Sequence, residues 1–250
     1  MSLRFPASKV SNLAEFEAWL ATERTVFDQR WLYEQQQIKA GLSGARDGTC
    51  GLCLAPTVFS SDGLERDRNW REEMLCGCER RLSNRHRGLL HYLRARAGLA
   101  RRQQVALIGP ETPIEGVLRE WDARPIRLPR LVGGSLRCGD GVADHAICTD
   151  YLQFVPPLKT MLREIARIVR PGGEVTITAP FDVSAYDTKS KPYNLPPAAS
   201  DNAEPLHLFG WDLLDALRDL GFSDVAAHFY WSDEFGYLGP FNLVIGAVRL

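Results

Sequence analysis

The chain has 250 residues, 45% hydrophobic and 24% charged, enough for one large α/β domain and a smaller appendage with a sizeable core. Thirty basic residues balance thirty-one acidic ones, a net charge of −1, so there is no overall electrostatic case for nucleic acid or an anionic membrane as partner. The N-terminus, Met1-Ser2-Leu3-Arg4-Phe5-Pro6, has no apolar leader core, and no window approaches the roughly 18 apolar residues of a membrane span, so a cytoplasmic location is expected.

Residues 11–40 set Leu13, Phe16, Trp19, Leu20, Val26, Phe27, Trp31, Leu32 and Ile38 at three-and-four spacing, which predicts one or two amphipathic helices. Residues 43–67, rich in Gly, Ser, Asp and Pro, read as loop or short hairpins. A helical pattern resumes over 82–100, with its run of arginines read as a solvated face rather than a binding surface. After Arg102, short apolar runs alternate with helical patterns, the texture of β/α units and a largely parallel sheet. The expected order is a strand at 104–109, a turn at 110–113, and a helix to Trp121. A poor or edge strand follows at 125–131, since Pro129 removes a donor. Next come a strand at 145–150, a helix at 156–169 stopped by Pro171-Gly172-Gly173, and a strand at 174–181. Residues 182–205 form a long loop suited to a mobile lid, before a helix at 209–220 closed by Gly221 and two final strands at 225–231 and 243–250. The boundary falls near residue 100, dividing a helical, cysteine-bearing segment (1–100) from an α/β domain (101–250).

Cys50-Gly51-Leu52-Cys53 and Cys76-Gly77-Cys78 are two tight cysteine pairs that, brought together, offer four thiolates to a tetrahedral Zn²⁺. Four protein ligands leave no open position, so the role expected of Cys50, Cys53, Cys76 and Cys78 is structural; free thiols are the alternative. Cys138 and Cys148 read as small buried hydrophobes.

Three stretches give the chain its resemblance to a known family. Met161 to Gly173 runs through a helix into a Pro-Gly-Gly turn, Phe209 to Phe222 is a helix ending in Gly221-Phe222, and from Cys50 to Glu111 two cysteine clusters and an Arg-rich helix precede a strand ending in Ile108-Gly109-Pro110-Glu111. The chain resembles the class I S-adenosylmethionine-dependent methyltransferases, and its stretch from Cys50 to Glu111 a subgroup with an N-terminal zinc-binding segment. The resemblance implies a Rossmann-like fold with a mostly parallel sheet and a C-terminal antiparallel hairpin. It also implies S-adenosylmethionine as cofactor and a small-molecule or saccharide-type acceptor. Carried over residue by residue, the cofactor would be held by Gly109, Pro110, Glu111 and Thr112 after the first strand and by Thr149, Asp150 and Tyr151 after the fourth.

The chain departs from the family in two places. The second strand, Ile126 to Leu131, lacks the acidic residue that accepts the cofactor's ribose hydroxyls, and Gln153-Phe154 stand where many members have Glu-His. A non-catalytic protein that keeps the fold as a binding or scaffold module is therefore the alternative function. For a catalytic protein, His207 is a candidate base and Asp150 a second candidate beyond a strand end, each with a capping or packing role as its structural alternative. Tyr151, Tyr186 and Tyr193 are pocket candidates on the same terms. A second copy of the chain or a partner enzyme is a further expected associate.

Overall fold

A computed structural model describes residues 4–39, 46–60, 74–96, 102–191 and 205–250. They divide into two compact units: Met1–Val10, Ala14–Gly98 and His228–Val244 form the first, and Ser11–Leu13, Leu99–Ala227 and Ile245–Leu250 the second. The segment 228–244 thus joins residues far away in sequence, which local periodicity does not reveal. None of the described helices is long and apolar enough to cross a membrane.

The first unit opens with β1 (Ala7–Val10), α1 (Leu13–Thr22) and α2 (Arg24–Lys39). The Cys-bearing stretch forms a three-stranded antiparallel sheet of β2 (Arg46–Thr49), β3 (Pro56–Ser60) and β4 (Leu75–Cys76), in the order β2-β3-β4. Part of the expected loop, residues 61–67, lies outside the described residues. Next comes α3 (Asn84–Arg96), whose Leu89, Leu90, Tyr92 and Leu93 are buried together with Phe16, Phe59, Phe229 and Tyr237 of the same unit.

One expectation for α3 fails here. Arg87 is not on a solvated face but fully buried. Its guanidinium donates to four backbone carbonyls, from Nε to Leu82 (3.2 Å), from Nη1 to Phe235 (2.6 Å) and from Nη2 to Met74 (3.2 Å) and Gly236 (3.1 Å). It also stacks over Phe59 at 4.3 Å and Tyr237 at 5.3 Å from the ring centroids. A buried charge is tolerated only when its donors are met, and here they are met by loops distant in sequence.

The second unit begins with β5 (Gln104–Ile108), α4 (Ile114–Glu120), β6 (Arg124–Leu128) and β7 (Ala143–Thr149). A 3₁₀ turn (Leu152–Phe154) leads into α5 (Leu158–Ile168), whose Met161, Leu162, Ile165 and Ile168 recur at helical spacing and are all buried. Then follow β8 (Val169–Thr178), β9 (Lys189–Ser190), β10 (His207–Leu208), α6 (Asp212–Asp219), β11 (Phe222–Tyr230) and β12 (Leu243–Arg249). The sheet of this unit has the order β11-β12-β8-β7-β5-β6. Its β6-β5-β7-β8 part is parallel and β12 pairs antiparallel with β8, the mostly parallel Rossmann-like sheet that the sequence predicts. β6, the strand before Pro129, is an edge, where a missing donor costs least.

One local expectation changes. The helix α5 ends at Ile168, before the Pro171-Gly172-Gly173 expected to stop it, and the chain is already in strand at Val169. In register, Ala143 faces Val169 and His145 faces Glu174, so the Pro-Gly-Gly residues are looped out of β8. Gly172 takes φ +75°, and a Cβ on Gly173 would stand 2.9 Å from the Asp144 carbonyl, so both glycines are needed for the bulge itself. The first part of the long loop is tied to α6 and to Trp211 before it by hydrogen bonds. Trp211 Nε1 donates to the Val183 carbonyl (2.9 Å), Tyr186 Oη to Asp215 (2.8 Å) and the Thr188 amide to Asp212 (2.9 Å). Residues 192–204, with Tyr193, lie outside the described residues.

Candidate functional site

From β5 the chain runs to β6 on one side and then to β7 on the other, so the sheet's topological switch point lies outside the carboxyl ends of β5 and β7. Open α/β sheets bind ligands in this crevice. Gly109, Thr149, Asp150 and Tyr151 stand at these two ends, and the structure brings them together. Gly109 has φ +113°, and a Cβ there would lie 2.8 Å from both Cβ and Cγ of Tyr151, so only glycine allows the two loops to approach. Thr149 is buried opposite Thr178. Asp150, at φ +43°, donates its amide to the Thr178 carbonyl (2.8 Å) while its carboxylate accepts from Thr178 Oγ1 (2.9 Å). The carboxylate is thereby fixed at the mouth of the crevice. Tyr151 is half-buried, and burial raises its pKa while nearby Arg130 partly offsets this.

The turn after β5 is used differently by its four residues. The Gly109 amide donates to the Leu128 carbonyl (3.1 Å) and Pro110 has no amide hydrogen, whereas no backbone hydrogen bond among the described residues uses the Glu111 or Thr112 amide. Glu111 is exposed and lies 3.6 Å from Arg127, which also pairs with Glu115. The end of β6 carries Arg130 and no carboxylate.

His207 belongs to a second locus. In the β9–β10 pair it faces Ser190, whose Oγ lies 2.8 Å from its Nδ1, while its Nε2 lies 3.3 Å from the Val155 carbonyl. A carbonyl can only accept, so Nε2 carries the hydrogen and Nδ1 presents its lone pair to the Ser190 hydroxyl. Pro180, Lys189, Ser190, His207 and Leu208 help to line a cavity of about 400 Å³ here. The Leu206 amide donates to the Gln153 carbonyl (2.8 Å), joining this locus to the 3₁₀ turn that follows Asp150. Gln153 is buried, and among the described residues its Oε1 has no hydrogen-bond partner. Ser190 and Thr178 were not legible as site residues, because register, not local motif, brings them in, whereas Gln153 was singled out by its place in the family pattern.

The four predicted cysteines converge in the first unit. Sγ atoms of Cys50, Cys53 and Cys78 all lie within 4.8 Å of one another, and Cys76 Sγ is 2.7 Å from that of Cys78. The hydrogen bond from the Cys76 thiol, opposed by burial, leaves Cys50 well below its ordinary pKa and Cys76 above it. Leu82 couples the cluster to Arg87, since its carbonyl accepts from both the Cys76 amide and Arg87 Nε. Of the other two cysteines, Cys148 is fully buried in β7 as expected and burial pushes its thiol up to about 12, whereas Cys138 is only half-buried and outside any strand.

Residues 120–177 match the family model described as a methyltransferase domain. No curated protein sequence matches the chain. Among solved structures, a chain from the complex between the Haloferax volcanii Trm112 methyltransferase activator and a methyltransferase is 14% identical, covering 66% of this chain and 91% of that one, with a TM-score of 0.48. Haemonchus contortus phosphoethanolamine N-methyltransferase 2 with S-adenosylhomocysteine is 12% identical over 66% of this chain and 52% of its own, with a TM-score of 0.45. Burkholderia thailandensis 1,6-didemethyltoxoflavin-N1-methyltransferase is 19% identical over 61% and 73%, with a TM-score of 0.38. The chain thus spans about half the length of the Haemonchus protein. Residues 120–177, which are similar to a methyltransferase domain, lie within a sheet of Rossmann-like order.

Proposed function

We propose that this protein transfers a methyl group from S-adenosylmethionine to a small-molecule acceptor, a saccharide among the candidates, and that a structural zinc ion crosslinks its first unit. The switch-point geometry carries the first part: a glycine at φ +113° lies against Tyr151, beside a carboxylate fixed by Thr178, in a methyltransferase domain. These residues fit the amino-acid end of the cofactor. The Glu111 and Thr112 amides are donors for its carboxylate, and Asp150 is an acceptor for its ammonium group. Bound there, S-adenosylmethionine supplies an electrophilic methyl carbon on its sulfonium. The chain's own contribution is to position the acceptor and hold its proton, and His207 would take that proton at Nδ1, the nitrogen facing Ser190. The buried Gln153 Oε1 is a further acceptor beside this locus.

The thiol cluster fits zinc. Ligands about 2.3 Å from one ion stand about 3.8 Å apart at tetrahedral angles, and here the sulfurs of Cys50, Cys53 and Cys78 lie within 4.8 Å of one another, with that of Cys76 beside Cys78. Cys50, Cys53, Cys76 and Cys78 would hold the ion with no position left for substrate.

A non-catalytic role is favoured by one observation: β6 ends without a carboxylate, and Arg127 is committed to Glu111 and Glu115. Titration calorimetry with S-adenosylhomocysteine separates the two. The catalytic role requires saturable binding that Gly109→Val abolishes, weakened about ten- to a hundredfold by the missing ribose contact. A flat wild-type isotherm at millimolar ligand would establish the non-catalytic role instead.

A further inference from the structure

We propose that the first unit carries a seat for a methylated ammonium group, in an aromatic cavity that the Arg30 side chain fills in this structure. The cavity lies within that unit, between Trp19, Phe27 and Trp31 of the helical pair and Phe229, Trp231 and Phe241 of the C-terminal segment. It already holds a cation on its ring faces, since the Arg30 Cζ stands 5.1 Å from the Trp231 centroid and 5.5 Å from that of Phe27. Aromatic faces attract cations through the ring quadrupole, most strongly where water is excluded.

Glu34, one helical turn after Arg30, supplies the counter-charge. It is only 5% exposed and accepts from Trp231 Nε1 (2.7 Å) and the Gly239 amide (2.9 Å), both at Oε1. These two bonds orient the carboxylate beside the ring faces. Burial raises the Glu34 pKa, and the two hydrogen bonds and the Arg30 cation work against this, so a cation seated in the cavity favours the charged carboxylate where an apolar group would not.

The occupant's chemistry follows from what the cavity lacks. A guanidinium has five N–H donors in a fixed fork, yet among the described residues that of Arg30 has no hydrogen-bond partner. The seat offers rings and one negative charge but does not engage those donors. A trimethylammonium head has the same number of heavy atoms as a guanidinium and no N–H, so it loses nothing there. Arg30 is half-buried and has no hydrogen-bond partner among the described residues, so it can swing out cheaply, past an entrance marked by Trp31, which is 58% exposed.

The test is titration of choline against the full chain, followed by tryptophan fluorescence and calorimetry, with the uncharged isostere dimethylbutanol as control. Arg30→Ala should bind choline about tenfold more tightly than wild type, because the competing cation is gone. Glu34→Gln in the same background should weaken choline binding, and dimethylbutanol should not bind. Circular dichroism and melting establish that the variant is folded; if Arg30→Ala is not, Arg30→Gln is titrated with the same expected outcomes. Equal binding of choline and dimethylbutanol would make the cavity an ordinary apolar one and overturn the proposal. So would the absence of saturable choline binding to a folded Arg30 variant.

Discussion

The second unit is held by aliphatic side chains set at regular spacing on a repeating frame: Val105, Ile108, Ile147, Ile165, Ile177 and Leu214 are all buried between sheet and helices. The first unit buries Arg87, Asn84 and His91 in its interior and gathers four thiols at one place. In the former, stabilisation is spread over many interchangeable contacts, each worth a methylene or two. In the latter it is concentrated in a few polar and sulfur groups whose partners come from distant parts of the chain. Concentrated stabilisation fails abruptly when one member is removed, and the two units should therefore respond very differently to single changes.

Metal removal should have the largest effect. Apparent binding energies of structural zinc reach about 10 kcal/mol or more, so a strong chelator should abolish the folding transition of the first unit while leaving that of the second near its original temperature. Elemental analysis should find about one zinc per chain, lost in Cys76→Ser. Full zinc content and an unchanged melting temperature in that variant would remove the crosslink from the comparison.

Arg87→Met comes next. It leaves the carbonyls of Phe235, Met74 and Gly236 without this donor, while that of Leu82 keeps the Cys76 amide, and removing one member of a buried polar network costs about 3–5 kcal/mol. Ile147→Val in β7 should cost about 1 kcal/mol, the usual value for one buried methyl. Denaturant unfolding of the two variants measures the contrast directly, and equal costs would contradict it.

The same contrast decides what could be read from the sequence. The strands at 104–108 and 143–149 and the helix at 158–168 follow from apolar periodicity, because in a layered α/β unit each element's local pattern reports its own buried face. The convergence of Cys50, Cys53, Cys76 and Cys78 was legible too, since paired thiols have few uses. Arg87 was not: the same letter on a helix serves a solvated face or a buried clamp, and only the carbonyls of residues 235–236 decide between them. The start of β8 was hidden for a different reason, because Pro-Gly-Gly marks a helix end and a bulge equally well. At the switch point Gly109 was legible as a turn glycine, but its partner Tyr151 comes from a loop some forty residues on.

One buried polar group in the second unit sharpens the comparison through pH. His145 is fully buried in β7, its Nε2 lies 2.8 Å from Thr176 Oγ1, and burial lowers its pKa to about 4 from an ordinary 6.5. Above pH 6.5 both folded and unfolded states carry it neutral. As pH falls from 6.5 towards 4 the unfolded state takes up a proton that the folded state refuses, so stability should drop by about 3 kcal/mol across that window. The difference between wild type and His145→Leu, measured by denaturant unfolding at each pH, isolates this residue from the other histidines. A difference that does not change with pH would mean that the ring is solvated in the folded protein.

A smaller effect than that of His145 lies at the switch point, where the second unit behaves locally like the first. Gly109→Ala has two separable costs. An L-residue at φ +113° is strained wherever it stands, and the new Cβ would meet Tyr151 Cβ and Cγ at 2.8 Å. Together they should destabilise by about 1–3 kcal/mol. Only the second cost depends on Tyr151, so a double-mutant cycle divides them. Because Tyr151 Cβ is itself a contact atom, Tyr151→Ala should relieve little of the clash. Tyr151→Gly should relieve most of it, with a coupling energy of about 1 kcal/mol, and leave the backbone strain in place. Equal coupling for the two Tyr151 variants would mean that the ring, not the close approach of the two loops, is what Gly109 accommodates. Such a result would turn the carboxyl ends of β5 and β7 from a rigid crevice into one whose width a ligand sets by moving a single side chain.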